Sequence, residues 1–203
     1  MNKNEVEVKF LVKDLSSIQD TLIASGASLN HERVLETNWR FDTPDRSLTS
    51  AHQVLRLRKD TRSRLTFKAS QVIGAPVSIR REIEFEVSDL DATCDLLEAL
   101  GYEVSIIYEK YRTTYQLDNL EIVLDEMPFG TFVEIEGQSA EEIEHAAIQL
   151  HLNWEHRCTE SYLALFDRLK SNCMLDVHDL TFANFEGIVV SSQDLHLSYA
   201  DFA

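Results

Sequence analysis

The feature that most constrains this chain is a strict alternation of charged and apolar residues, repeated in segments long enough to be β-strands. In EVEVKF (5–10), Glu5, Glu7 and Lys9 alternate with valine and phenylalanine. Successive side chains of a strand point to opposite faces, so each such segment has one charged and one apolar face. For a single strand, a charged face exposed to solvent is the simplest interpretation.

The sign of the charge differs from strand to strand. Glutamates occupy the charged face of residues 5–10, 81–87 and 132–137, whereas arginine and lysine occupy that of 54–59, 64–68 and 109–115. If the strands closed into one sheet, the charged faces could line a lumen while the apolar faces packed outside against helices. Like charges crowded in a lumen are unfavourable unless ligands bind them. Arginine and lysine suit an extended polyphosphate, and carboxylates suit Mg²⁺ or Mn²⁺.

Each acidic strand precedes a segment with the periodicity of a short helix. These segments span residues 14–27, 89–102 and 139–152. Asp14 and Asp89 are predicted N-caps, and Gly26 and Gly101 are predicted to end the first two helices. Strands and helices in this order predict an α+β fold.

Composition limits the classes of function. The chain has 203 residues, 44% of them hydrophobic, and a net charge of −16, which argues against a general binder of nucleic acid or of anionic membranes. It contains no apolar run near the ~20 residues that a membrane span needs, so we expect a cytoplasmic protein. Cys94, Cys158 and Cys173 lack metal-type spacing, and we expect them to be reduced. The scarce basic residues cluster within 56–68, a pattern that fits either a salt-bridged surface or a confined anion site.

A set of motifs in order resembles the CYTH superfamily, which includes class IV adenylyl cyclases, thiamine triphosphatases and inorganic tripolyphosphatases, the triphosphate tunnel metalloenzymes. The motifs are E-x-E-x-K at 5–9, FDTPDRSL leading to Arg56 and Arg58, TFK with Lys68, R-x-E-x-E at 80–84, K-x-R at 110–112, LDEMPFGTFVEIEG at 124–137 and SYLAL at 161–165. Together they cover most of residues 3–170. Any one motif alone is weak, whereas the ordered set is specific.

The resemblance implies a closed barrel of eight antiparallel β-strands, a triphosphate tunnel, with helices packed outside. It also implies roles for side chains inside that tunnel. The residues that the resemblance assigns to triphosphate binding are Lys9, Arg56, Arg58, Lys68, Lys110 and Arg112. The residues that it assigns to binding of Mg²⁺ or Mn²⁺ are Glu5, Glu7, Glu134 and Glu136. The remaining acidic candidates, for catalysis, are Glu82, Glu84 and Asp125.

We expect residues 1–170 to form this tunnel domain and residues 171–203 to pack on the barrel or on a partner subunit, in which case the protein is a homodimer. Many members of the superfamily bring a lysine to the tunnel mouth from the closing helix. Here that region reads HRCTESYLALF, with Glu160 before Ser161 and with Arg157 as the nearest cation. This departure leaves the preferred substrate open.

The resemblance implies an enzyme that acts on a small-molecule triphosphate. Hydrolysis is the first hypothesis, because it needs no adenine pocket. Class IV adenylyl cyclase, which converts ATP into cyclic AMP and pyrophosphate, is the alternative, because the same clamp would hold ATP. Trp39 and Phe41 are candidates for stacking a base, although packing is the simpler interpretation. A non-catalytic polyphosphate or nucleotide sensor is the third hypothesis.

Overall fold

The computed structural model describes residues 3–70, 72 and 74–201. The strands are β1 Lys3–Val12, β2 Ser28–Asp42, β3 Val54–Lys59, β4 Ser63–Lys68, β5 Ser78–Val87, β6 Glu103–Leu117, β7 Leu120–Met127, β8 Gly130–Gly137 and β9 Arg157–Cys158. The α-helices are α1 Leu15–Ala24, α2 Ser47–Ser50, α3 Leu90–Ala99, α4 Ala140–Gln149 and α5 Tyr162–Cys173.

All strands form one antiparallel sheet in the order β5-β4-β3-β2-β6-β7-β8-β1-β9. β1 also pairs with β5, from Lys3 opposite Glu82 to Glu7 opposite Ser78. This additional pairing closes β1 to β8 into a ring of eight strands, and β9 pairs with β1 beyond the end of β5. The predicted closed antiparallel tunnel with outer helices is confirmed.

The helices α1 and α3 begin and end where the sequence indicates. The Asp14 carboxylate accepts hydrogen bonds from the amides of Ser16 and Ser17, and the Asp89 carboxylate accepts one from the amide of Ala92. Residues 26 and 101 are glycines with φ of +84° and +89°. Side chains other than glycine rarely adopt this conformation, so glycine allows the chain to leave each helix sharply.

The apolar faces of the strands pack outward against the helices. Val8 and Ile135, on neighbouring strands, are fully buried with Leu22 of α1 and Ile143 of α4. Burial of such side chains contributes about 1.5–3 kcal/mol each. The hydrophobic effect thus fixes which face of each strand points outward, and leaves the charged faces for the lumen.

The third helix covers another part of the outer surface. Leu97 of α3 packs with Phe41 and Leu57, which are both fully buried, and Trp39 packs against the same cluster. Both aromatic residues that were candidates for base stacking therefore lie on the outer face of the sheet, where they serve packing.

One end of the ring is closed by α5. On the inner face of β1, Leu11 follows Lys9 two residues later, and on β8 Phe132 precedes Glu134 by two residues. Leu11 and Phe132 are buried in one cluster with Phe166 of α5. The inner wall is therefore charged in the middle and apolar at this end.

The segment after α5 lies along the ring. The amide of Leu180 donates to the carbonyl of Ile107 at 2.9 Å, and the carbonyl of Leu180 accepts from the amide of Glu109 at 2.9 Å. Near the end of the segment, the Asp201 carboxylate accepts from the amide of Lys13 at 2.8 Å. These bonds attach the segment to β6 and to the loop that follows β1.

The division into a domain of residues 1–170 and an extension of residues 171–203 stays a prediction, and residues 1, 2, 202 and 203 lie outside the described range. Among the helices of the described part of the chain, none combines the length and the apolar character that crossing a bilayer requires.

Candidate functional site

The inner faces of the strands enclose a cavity of about 200 Å³, which we call the near cavity. Eight cationic and seven acidic side chains line it, together with residues 159 and 161–163 at the start of α5. The whole chain has only 19 basic residues against 35 acidic ones. The scarce basic residues are thus concentrated on the inner wall of the ring.

Nearly all residues singled out from the sequence meet at the near cavity. The predicted triphosphate-binding residues line it: Lys9, Arg56, Arg58, Lys68, Lys110 and Arg112. The predicted metal ligands line it as well: Glu5, Glu7, Glu134 and Glu136. Of the remaining acidic candidates, Glu82 and Glu84 line the cavity, whereas Asp125 is completely buried behind its wall. The roles of these residues stay predictions.

Asp125 is a buried carboxylate that accepts four hydrogen bonds. Lys110 Nζ donates to Oδ2 at 3.0 Å, and the Tyr162 hydroxyl donates to the same oxygen at 2.9 Å. Arg112 binds both oxygens, from Nε at 2.7 Å and from Nη2 at 2.5 Å. Forked binding of this kind fixes the orientation of a guanidinium. The geometry favours a positioning role for Asp125, which orients Lys110 and Arg112 toward the cavity.

Two lysines are held by carboxylates of the predicted metal set. Lys68 Nζ donates to both oxygens of Glu5 at 2.6 Å, and Lys9 Nζ lies 3.6 Å from Glu134 and 4.0 Å from Glu7. Burial lowers the pKa of each lysine, but the neighbouring carboxylates more than offset this effect, and the pKa of both is raised. Both lysines therefore carry a positive charge at neutral pH.

Sequence reasoning missed three inward residues of β2, which are Glu36, Asn38 and Arg40. Glu36 is 2% exposed, accepts a hydrogen bond from Arg58 Nη1 at 3.1 Å and lies 3.6 Å from Lys110 Nζ. Asn38 is fully buried, and Arg40 lines the near cavity. The alternation in ETNWRF indicates that Glu36, Asn38 and Arg40 share one face of β2. In this segment, sequence reasoning considered only the aromatic residues as site candidates.

Tyr162 connects α5 to the charged wall. Its ring lies 5.3 Å from Lys9 Nζ and 5.5 Å from Lys110 Nζ, within cation–π range. Burial, together with the charges of Asp125 and Glu134, raises the pKa of Tyr162 well above its ordinary value. The hydroxyl therefore stays protonated and keeps donating to Asp125. Ser161 caps α5 by accepting from the amide of Ala164.

The two charged residues that depart from the family pattern have other partners. Glu160 accepts two hydrogen bonds from Arg168 Nη2, at 2.6 and 2.7 Å. Arg157 donates to the carbonyl of Pro76 at 3.1 Å, and its guanidinium lies 4.7 Å from the ring of Trp154. In place of a cation from the closing helix, the near cavity receives the ring of Tyr162.

The carboxylates that line the near cavity are ligands of the type that hard divalent cations prefer. Glu7 of β1 lies directly opposite Glu136 of β8, and Glu134 lies opposite Lys9. Carboxylate oxygens without sulfur or imidazole suit Mg²⁺ or Mn²⁺. Within the described residues, however, no three acidic, histidine or cysteine side chains converge as a preformed metal site. A cation would bind only as Glu134 and Glu5 exchange their lysine and arginine partners for it.

Two buried carboxylates predict that acid destabilises the protein. Burial raises the pKa of Glu36 and Glu134, but Lys110 and Arg112 more than offset it and hold the pKa of both well below the usual range. In the unfolded chain, glutamate has a pKa of about 4.3. The unfolded state therefore binds protons first, so this stabilisation is complete above about pH 5 and declines as the pH falls. Urea unfolding at pH 7, 5 and 3.5 is expected to show the decline.

The control for this prediction is Glu36→Gln, which removes one of the two titrating groups. Its free energy of unfolding is expected to depend less steeply on pH below pH 5 than that of the wild type. Equal slopes for the two proteins would contradict the assignment of Glu36 as a depressed acid.

Comparisons with known proteins agree with this geometry. The family described as the CYTH domain matches residues 3–162. Adenylate cyclase CyaB of Aeromonas hydrophila is 28% identical over 136 residues, which are 64% of this chain and 67% of that protein.

Solved structures resemble the whole ring. An X-ray structure from Vibrio parahaemolyticus, provisionally assigned as an adenylate cyclase, has a TM-score of 0.74 and 25% identity, and covers 82% of this chain and 99% of its own. A Hippeastrum protein, provisionally an adenylyl cyclase and described as having a dominant triphosphatase activity, has a TM-score of 0.59 and 20% identity. It covers 80% of this chain and 95% of its own, and at this identity it indicates a common fold.

Proposed function

The chain belongs to the CYTH family, and from that premise we propose that it is a metal-dependent triphosphatase, which hydrolyses inorganic tripolyphosphate or an organic triphosphate inside the ring. Members of this family bind triphosphates and are adenylyl cyclases or triphosphatases. The observation that carries the proposal is the charged inner wall, in which eight cations face seven carboxylates in a cavity of about 200 Å³.

The ion pairs of this wall support binding of a triphosphate together with a cation. Lys68 is paired with Glu5, and Arg112 is paired with Glu134. A triphosphate can replace the carboxylates as the partner of these cations, because its oxygens accept the same charge-assisted hydrogen bonds. The released carboxylates can then hold the metal. The wall pairs many of its cations with its own carboxylates without ligand, and it offers both signs of charge when the ligands bind.

The cationic residues of the near cavity would neutralise the charge that develops during hydrolysis. A water oxygen forms a bond to the terminal phosphorus, the bond to the bridging oxygen breaks, and the diphosphate leaves with the electron pair. The water loses one proton, so the products are diphosphate, orthophosphate and a proton. Fixed cations neutralise the charge on the transferred and leaving oxygens. Lys110 and Arg112 suit this task because Asp125 holds both of them in place.

Glu5, Glu7, Glu134 and Glu136 would hold Mg²⁺ or Mn²⁺. When bound, such a cation neutralises phosphate charge and orients the attacking water. Glu82 and Glu84 remain candidates for accepting the proton of that water, since both line the near cavity. Glu84 accepts hydrogen bonds from Arg58 and Thr66, which also makes it a candidate for positioning Arg58.

Class IV adenylyl cyclase is the second candidate, because the Aeromonas relative bears that name. The same cations would hold the triphosphate of ATP, and the ribose 3′-hydroxyl would replace water as the nucleophile. The position of Trp39 and Phe41 on the outer face of the sheet weakens this candidate, since it leaves the adenine without the two aromatic residues proposed for it.

Product analysis tests the proposal. Purified protein with Mg²⁺ or Mn²⁺ is given tripolyphosphate and ATP in separate reactions, and the products are separated by ion-exchange chromatography. We expect orthophosphate and no cyclic AMP. Cyclic AMP with pyrophosphate would instead establish the cyclase, and the absence of any product with either metal would favour the third hypothesis, a non-catalytic polyphosphate or nucleotide sensor.

A further inference from the structure

A second cavity of about 400 Å³ opens at the opposite end of the charged lumen, and we call it the far cavity. It shares Arg58, Glu84, Arg112 and Glu121 with the near cavity. Its other lining residues include Arg33, Asp60, Arg62, Arg64 and Thr114. Five arginines and no lysine line it, together with five acidic residues, which are Glu32, Glu36, Asp60, Glu84 and Glu121. Arginine is the cation whose planar fork best matches phosphate oxygens.

The two cavities follow each other along the strands. On β3, Val54 and Arg56 line the near cavity, Arg58 lines both, and Asp60 beyond the strand lines the far cavity. On β4, Lys68 lines the near cavity and Arg64 the far one. The two cavities therefore adjoin, and Arg58 and Arg112 face both of them.

Two arginines of the far cavity repel each other, although both also have carboxylate partners. Arg58 and Arg64 lie directly opposite each other on β3 and β4, and like charges in such a pair are destabilising. Glu84 compensates partly, at 3.2 Å from Arg58 and 4.0 Å from Arg64, and Arg64 also pairs with Asp60. The Nε atoms of Arg58 and Arg64 are nevertheless buried without a hydrogen-bond partner.

The charges around Arg58 also indicate that an anion would stabilise this part of the far cavity. Arg58 is 7% exposed, and burial together with the nearby charge of Arg56 lowers its pKa although Glu36 and Glu84 act in the opposite direction. An oxyanion between Arg58 and Arg64 would lessen the repulsion between the two guanidinium groups.

We propose that the far cavity is a second oxyanion subsite, which binds the orthophosphate released by hydrolysis and conducts it out of the mouth opposite to the near cavity. The proposal rests on the proposed function. Once the bond to the bridging oxygen breaks, the diphosphate and the orthophosphate repel each other. Arg58 and Arg112 face both cavities, so the orthophosphate passes to Arg64 without losing contact with arginine.

Binding of inorganic phosphate tests the subsite without relying on turnover. Isothermal titration calorimetry measures the Kd for phosphate in metal-free buffer, before and after saturation of the near cavity with methylenediphosphonate, an analogue of the diphosphate product. We expect one phosphate to bind in the presence of the analogue. Arg64→Gln is expected to weaken this binding at least tenfold, and Arg64→Lys, which keeps the charge but not the fork, by a smaller factor.

Lys59→Gln is the matched control. Lys59 is the next residue after Arg58 on β3, is exposed, and faces away from the lumen, so this variant removes one positive charge outside the ring. We expect it to change the Kd by less than twofold. Circular dichroism shows whether Arg64→Gln folds. If it does not, the subsite is tested by whether Arg64→Lys raises the Kd for phosphate more than Lys59→Gln does.

Two results would overturn the subsite. One is that methylenediphosphonate abolishes phosphate binding, which would mean a single shared site. The other is that phosphate binds equally well to the Arg64 variants and to the wild type. Failure of the proposed function would look different: phosphate binding would still depend on Arg64, but tripolyphosphate and ATP would yield no orthophosphate.

Discussion

Asp125→Ala is expected to destabilise the protein by about 3–5 kcal/mol, because it leaves buried cations without their partner. Asp125 has no exposed surface. Among the described residues, its removal leaves Lys110 with Glu36, at 3.6 Å, as its remaining carboxylate partner and leaves Arg112 dependent on Glu134. The free energy of unfolding in urea measures the loss. Activity is expected to fall as well, since both cations lose the group that orients them.

The neighbouring carboxylate on the same strand provides a matched control. Glu126 is also bound by a forked arginine, Arg33, at 2.6 and 2.9 Å, but this pair lies at the surface. Glu126→Ala is therefore expected to cost at most about 1 kcal/mol. Tyr162→Phe, which removes one of the four hydrogen bonds to Asp125, is expected to cost about 0.5–1.5 kcal/mol. Equal losses for Asp125→Ala and Glu126→Ala would show that Asp125 is not the centre of the network.

Glu7→Gln and Arg58→Ala are each expected to lower kcat/KM for tripolyphosphate by about 10²–10³-fold, the range measured when one fixed charge-stabilising group is removed from an active site. Glu7→Gln keeps the size of the side chain but removes the charge that a divalent cation requires. Arg58→Ala removes a donor that faces both cavities. Steady-state kinetics over a range of Mg²⁺ concentrations separates the loss of metal binding from the loss of the arginine donor. Only Glu7→Gln is expected to raise the Mg²⁺ concentration that gives the half-maximal rate.

Direct metal binding gives a second readout for this prediction. Electron paramagnetic resonance of Mn²⁺ is expected to show weaker binding to Glu7→Gln than to the wild type. Glu98→Gln, on the exposed face of α3, is the control and is expected to change neither binding nor rate. Unchanged activity in both Glu7→Gln and Arg58→Ala would exclude the ring interior as the active site.

The inward direction of most site residues could be predicted because a strand has a period of two. Once the apolar side of β1 was assigned to the core, Glu5, Glu7 and Lys9 had to share the other side. The same argument placed Arg56 and Arg58. Since the outer helices also had clear caps at Asp14 and Asp89, both the ring interior and its outer layer followed from local patterns.

The parts that could not be predicted depend on contacts between distant segments. Asp125 was a catalytic candidate by motif, but only the structure shows that Lys110, Arg112 and Tyr162 together occupy both of its oxygens. The pairing of Glu36 with Arg58 across β2 and β3 likewise depends on register. The far cavity follows from the offset of neighbouring strands around the ring, which no single segment encodes.

The closure of the ring has a consequence for synthesis of the protein. The strand β1 pairs with segments far along the chain, since residue 3 lies opposite residue 82 and residue 12 lies opposite residue 131. Contacts of such long range form slowly, and domains are synthesised from the N-terminal side. On the ribosome, β1 must therefore wait as an unpaired strand until β5 has emerged, and its other edge stays unpaired until β8 has emerged. A chaperone that shields this first strand would raise the yield of native protein more than one that shields β7, whose neighbours in the sheet, β6 and β8, are also its neighbours in the chain.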